Sequence, residues 1–143
     1  MKLIPVLAAL CAGAYAQSIN IGAPASGTTI ATGDVVVQVN RPDSLTGSEE
    51  VAIVISIAPC NAYGTCFDPA DRLGTTLYKG PYNPQFPPHN TPQDEPQQKF
   101  TVSIPDSFAG EKALLSVVHL SLVGAGPVPL FEIVNATVNV VAN

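Results

Sequence analysis

Short stretches in which apolar and polar residues alternate constrain the fold of this chain more than any other feature. In one of them Phe100, Val102 and Ile104 alternate with Thr101 and Ser103. The chain has 11 glycines and 14 prolines, and many of them lie between such stretches. Alternation with a period of two is typical of β-strands with one buried face, and no segment shows a sustained helical period. The sequence therefore predicts an all-β protein.

About seven short strands can be read from the alternation. One face of a predicted strand is lined by Val51, Ile53, Ile55 and Ile57. The other face of that strand is apolar too, which indicates a central position in a sheet. The longest apolar run covers residues 113–123 and ends at a Gly/Pro-rich turn. This number of strands in one domain predicts an immunoglobulin-like antiparallel β-sandwich.

The N-terminus has the features of a secretory signal. Lys2 gives a basic start, residues 3–13 form an apolar run, and Ala-Tyr-Ala at residues 14–16 places small residues where a signal peptidase cleaves. The run is shorter than the roughly 20 residues that a membrane-spanning helix needs. We therefore expect residues 1–16 to be removed and residues 17–143 to form a single secreted, extracellular domain without membrane insertion.

Two cysteines remain after the signal is removed, because Cys11 lies within it. Cys60 and Cys66 form an even pair in an oxidising compartment, so a disulfide is expected. A ring this short stabilises the fold by about 2–2.5 kcal/mol in the chain-entropy description. Two cysteines with no histidine at ligand spacing are a poor metal site.

The charge balance is acidic, with six Lys and Arg against 11 Asp and Glu and a net charge of −5. A chain without a basic cluster is not expected to bind nucleic acid or an anionic membrane. No cofactor is expected either.

Few residues are candidates for catalysis. The Glu49-Glu50 and Asp94-Glu95 pairs lie in polar connections and are interpreted as solvated charges rather than an acid–base couple. His119, alone on a predicted strand, is interpreted as a packed or surface residue rather than a ligand. No G-x-S-x-G nucleophile motif is present. We therefore expect no catalytic residue, no metal ligand and no enzymatic activity.

Residues 80–96 hold six prolines with aromatic residues between them. Because proline cannot donate to a β-ladder, this segment is predicted to be an extended surface loop. Aromatic residues near such loops can anchor a partner, so Tyr78, Tyr82 and Phe86 are candidate contact residues. The alternative is that these aromatics pack against their own domain.

A sequon for N-glycosylation is formed by Asn135-Ala136-Thr137. Asn135 and Thr137 fall on the polar face of a predicted strand, where a glycan does not disturb the core. The sequence therefore predicts a glycoprotein modified at Asn135.

Several strands and turns resemble those of a known family. The segments are GDVVVQV at 33–39, RPDSLTGS at 41–48, LGTTLYKG at 73–80 and the stretch 115–127. In these segments the chain is similar to the necrosis-inducing secreted protein family of fungi, and the resemblance covers nearly all of the mature chain.

The resemblance implies a small effector of a plant-associated fungus. It implies interference with plant immune signalling through binding of a host protein, such as a plant receptor-like kinase or its cytoplasmic partner, and in some cases plant cell death. It implies no catalytic residues. Because residues 21–33 also resemble the start of fungal cell-wall β-glucan assembly proteins, a cell-wall or polysaccharide-associated structural protein is the alternative.

Overall fold

The computed structural model describes residues 18–44 and 46–143, and within them the protein is an all-β sandwich. The predicted signal at residues 1–16 lies outside the described residues. The strands are β1 (Asn20–Ala23), β2 (Thr28–Ala31), β3 (Gly33–Asn40), β4 (Ser48–Pro59), β5 (Thr75–Gly80), β6 (Gln97–Ile104), β7 (Lys112–Val123) and β8 (Val128–Val141). One 3-10 turn, Asp106–Phe108, connects β6 to β7.

The strands form two sheets, one with the order β1-β3-β6 and one with the order β2-β8-β7-β4-β5. The predicted all-β sandwich is therefore confirmed, with eight strands where about seven were expected. One pairing is parallel, that of β2 with the end of β8. The turn at residues 24–27 carries the chain from the small sheet to the large one, and hydropathy alternation does not reveal which neighbour a short strand then meets.

The core lies between the two sheets and follows the alternation seen in the sequence. Each of the central strands contributes every second residue to it. Its fully buried aliphatic members include Val37, Val39, Ile53, Ile55, Ile57, Ile104, Leu115, Val117, Val138 and Val140. Removal of this apolar surface from water is the main favourable term in folding.

The outer face of the large sheet is partly covered by residues 60–74. Cys60 and Cys66 form the predicted disulfide at the start of this segment. Arg72 lies over the ring of Phe67, with 4.3 Å between the guanidinium carbon and the ring centre. Beyond the segment, apolar residues of β7 and β8 remain on the outer face, and the ring of Phe131 is 63% exposed. Among the described residues, no helix is long and apolar enough to cross a membrane.

Gly74, at the end of the covering segment (residues 60–74), allows the backbone of that segment to lie close to β4. Its backbone has φ +78°, and an added Cβ would lie 2.7 Å from the Cβ of Ala58. A side chain there is opposed both by the left-handed conformation and by the strand beneath it.

We expect Gly74→Ala to lower the free energy of unfolding by roughly 3 kcal/mol, because about 1–2 kcal/mol of backbone strain adds to the steric conflict. Gly27→Ala is the matched control, since Gly27 has φ +85° but no heavy atom within 4 Å of an added Cβ. It should lose only the strain of about 1–2 kcal/mol. Urea unfolding measures both, and equal losses in the two variants would contradict the close approach.

Candidate functional site

A β-bulge turns Glu50 towards the core at the start of β4. In the pairing of β4 with β7, Ala52 lies opposite Leu120 but Glu50 lies opposite Ser121, so Val51 is the extra residue. Because a bulge shifts the alternation by one residue, Glu50, which precedes it, lies on the core face. The interpretation of Glu50 as a solvated charge is therefore wrong, whereas Glu49 is exposed as expected. The prediction that Val51 shares the face of Ile53 is wrong, since Val51 is exposed.

His119 lies between two carboxylates inside the sandwich. Its side chain is fully buried, its Nδ1 is 2.8 Å from Oε1 of Glu132, and its Nε2 contacts Oε2 of Glu50. Glu132 is the direct cross-strand partner of His119 on β8. Both ring nitrogens therefore face an acceptor, which is the arrangement that a doubly protonated imidazolium satisfies.

Arg41 extends this cluster to the end of β3. It is almost fully buried; its Nε donates to Oε1 of Glu50 over 2.9 Å, and its Nη2 donates to the Ser48 hydroxyl over 2.9 Å. We call Arg41, Glu50, His119 and Glu132 the charge network. With His119 protonated, the network has two positive and two negative charges and is neutral as a set.

The start of the described chain closes the network on the other side. The Ser18 hydroxyl donates to Oε2 of Glu132 over 2.7 Å, and the backbone N–H of Ile19 donates to its Oε1 over 2.9 Å. The ring of Tyr82 meets the His119 imidazole edge-on, with 5.4 Å between ring centres. The network therefore joins the N-terminal segment, β3, β4, β7 and β8.

The pKa values of the network follow from this packing. Burial lowers the pKa of His119, but hydrogen bonds to Glu132 and Glu50 outweigh burial and hold that pKa above its ordinary value of 6.5. Burial raises the pKa of each glutamate, but hydrogen bonds outweigh it, so both carboxyl pKa values lie below 4.5. For Glu50 these bonds come from His119 and Arg41. Each charge is thus kept by its neighbours rather than by water.

Neither ring nitrogen of His119 is free, although Arg41 and Glu50 also line a surface cavity of about 310 Å³. A carboxylate faces each nitrogen of His119, and the described residues hold no group of His, Cys, Asp or Glu that could bind a metal ion. Ser121 lies opposite Glu50, but its buried hydroxyl has no hydrogen-bond partner, so it forms no Ser–His pair. The four charged side chains link the strands that carry them to one another.

The predicted contact residues are not brought together on one surface. Tyr82 is only 4% exposed, and its hydroxyl donates to the carbonyl of Val39 over 3.2 Å. It is a core residue, so its assignment as an exposed anchor is wrong: the ring fills the space between Phe100 and His119. Tyr78 is half-buried, and its ring centre lies 4.7 Å from that of Phe100.

Phe86 remains at the surface and is 47% exposed. With Pro87, Pro88 and Lys99 it lines an open, largely apolar cavity of about 420 Å³ beside β6. The loop between β5 and β6 has no strand and only one isolated bridge, Gln85 to Gln97, as its prolines predict.

Asn135 is exposed on β8, where a glycan can be attached without entering the core. The hydroxyl of Thr137 lies 2.9 Å from that of Ser26. Glycosylation at Asn135 stays a prediction.

One signal in the sequence could have located part of the network. Glu132 is separated from Val134, Val138 and Val140 by even numbers of residues, so it lies on the same face of that strand. A charged residue therefore stands on the predicted buried face. His119 likewise lies on the same face of its strand as Leu115. The contribution of Glu50 could not be seen, since the bulge shifts its face.

The two adjacent glutamates provide a direct test of the network. Glu50→Gln removes the charge between Arg41 and His119 and should lower the free energy of unfolding by about 2–3 kcal/mol, because a half-paired buried charge is costly. Glu49→Gln is the matched control and should change stability by less than about 0.5 kcal/mol. Urea unfolding at pH about 6 measures both, and a similar small loss in each would contradict an inward-facing Glu50.

Stability should depend on pH with a maximum on the acid side of neutrality. Because the pKa of His119 is raised, its contribution is fully present below 6.5 and is lost as pH rises through its folded pKa. Because the pKa values of Glu50 and Glu132 are lowered, their contribution is present above 4.5 and is lost as pH falls through their folded pKa values.

We therefore expect the free energy of unfolding to be highest between pH 4.5 and 6.5 and to fall on both sides. Urea unfolding over a series of pH values measures this profile. His89→Asn, at an exposed loop position, is the control and should leave the profile unchanged. Stability that climbs steadily from pH about 5 to about 8 would show that His119 is buried as the neutral imidazole.

Comparison with known proteins identifies the family of this chain. A search of curated proteins found no match. The model of the Nis1 family matches residues 14–139, which is most of the chain. The family name is consistent with the resemblance to necrosis-inducing secreted proteins seen in the strand and turn segments. The chain belongs to the Nis1 family.

Proposed function

We propose that this chain is a secreted fungal effector that acts by binding a host protein and modulates plant immune signalling or cell death. The observation that carries the proposal is the match of the Nis1 family model across both sheets of the sandwich. Plant receptor-like kinases and their cytoplasmic partners are the class of host protein that the resemblance implies.

Two features support secretion. Residues 1–16 have the composition of a secretory signal, and Cys60 and Cys66 are joined in a disulfide. Structural disulfides form and persist mainly in oxidising compartments.

Binding without catalysis is supported by the contrast between the interior and the surface. The buried charges satisfy one another, and a carboxylate occupies each nitrogen of His119. The outer face of the large sheet is apolar beyond the covering segment: Leu120 of β7 lies directly opposite Phe131 of β8, and Val118 lies opposite Ile133. Exposed contiguous apolar surface of this kind commonly marks a protein–protein interface.

The experiment measures the immune oxidative burst in leaves that express the protein with and without residues 1–16. We expect the burst to be reduced several-fold, and Phe131→Asp to restore it because a charge on the apolar face opposes docking. Val36→Asp is the matched control: Val36 is about half exposed on the small sheet and should tolerate a charge without affecting the burst.

An unchanged burst with both forms would contradict the proposal. If the protein also sedimented with insoluble fungal β-glucan, the cell-wall alternative would replace it.

A further inference from the structure

The N-terminal segment is held at the edge of the small sheet by a short strand. β1 has four residues, and its pairing with β3 is interrupted by a register shift between Ile21 and Ala23. Ile19 is buried in the core, and its backbone N–H donates to Glu132. Glu132 is therefore the polar anchor of Ser18 and Ile19, whereas Asn20 is held by the ladder to β3 and by side-chain hydrogen bonds with Glu95 and Asn40.

The two glutamates of the charge network differ in the partners that they have besides His119. Glu50 has Arg41 as a second cationic partner, at 2.9 Å. Among the described residues, the only cationic partner of Glu132 is His119. Its remaining partners are the neutral Ser18 hydroxyl and the Ile19 amide. Loss of the positive charge on His119 thus leaves Glu50 paired and leaves Glu132 as a buried anion without a counter-charge.

Deprotonation also removes a hydrogen bond. A neutral imidazole has one N–H, so one of its two nitrogens must turn a lone pair towards a carboxylate oxygen. Whichever nitrogen keeps its proton, Glu132 loses its only cationic partner among the described residues, whereas Glu50 keeps Arg41. The other titratable group packed against the ring, Tyr82, has its pKa raised, mainly by burial, and stays neutral.

We propose that His119 and Glu132 form a pH-sensitive latch for the N-terminal segment. With His119 protonated, Glu132 holds Ser18 and Ile19, and β1 stays on the edge of β3. With His119 neutral, Glu132 turns towards solvent, to which its side chain is already 13% exposed, and β1 detaches locally. Detachment uncovers the Ile19 site and the edge of β3, which β1 otherwise pairs.

The test is amide hydrogen exchange of the mature protein at a series of pH values from about 5 to about 8.5, corrected for the intrinsic rate. We expect protection of Ile19 and Ile21 to fall through one midpoint above 6.5 by at least about 10-fold more than that of Ile55 and Val117 in the core, whose smaller fall reports the loss of global stability. Uniform loss across all these amides would overturn the latch, because it would report global unfolding alone.

Two glutamates that contact the N-terminal segment give matched variants. Glu132→Gln keeps an acceptor for Ile19 but removes the charge, so protection of Ile19 should no longer depend on pH. Glu95 accepts from the side chain of Asn20 over 3.3 Å, and Glu95→Gln should retain the wild-type pH response. A pH response that persists unchanged in Glu132→Gln would overturn the proposal. If that variant does not fold, the comparison of Ile19 with Ile55 in the wild type still decides it.

Discussion

A positive imidazolium held between two carboxylates is the interaction on which one end of this sandwich depends. Burying one charge is costly, and burying four is tolerable only if each finds its partner in the correct place. Here the partners come from five separate segments of the chain, so the sheets, the N-terminus and the end of β3 must be assembled together. The apolar core stabilises the fold, while the charge network specifies how its elements meet at this end.

Much of the fold could be predicted because hydropathy alternation reports burial directly. Phe100, Val102 and Ile104 all face the core as their spacing indicates. The parallel pairing of β2 with β8 could not be predicted, since it depends on where a turn delivers four residues rather than on their hydropathy. The short disulfide followed from the number of cysteines and the expected oxidising compartment.

The candidate site was largely hidden for physical reasons that differ from residue to residue. The inward orientation of Glu50 could not be predicted, because one extra residue in β4 reverses the faces of the side chains that precede it. The prolines around Tyr82 predict a surface loop, yet its ring closes the core beside His119. Glu132 was visible as a charge on an apolar face, and such a residue indicates a buried partner elsewhere in the chain.

The central claim is that His119 is a buried cation, and nitrogen-15 NMR of its ring tests this most directly. At pH about 6, both Nδ1 and Nε2 should carry a proton and give the shifts of an imidazolium, although the side chain is fully buried. A His89→Asn variant leaves His119 as the single histidine and makes the assignment unambiguous. A neutral ring with one protonated nitrogen at that pH would contradict the account, because the charge network would then carry a net negative charge in the core.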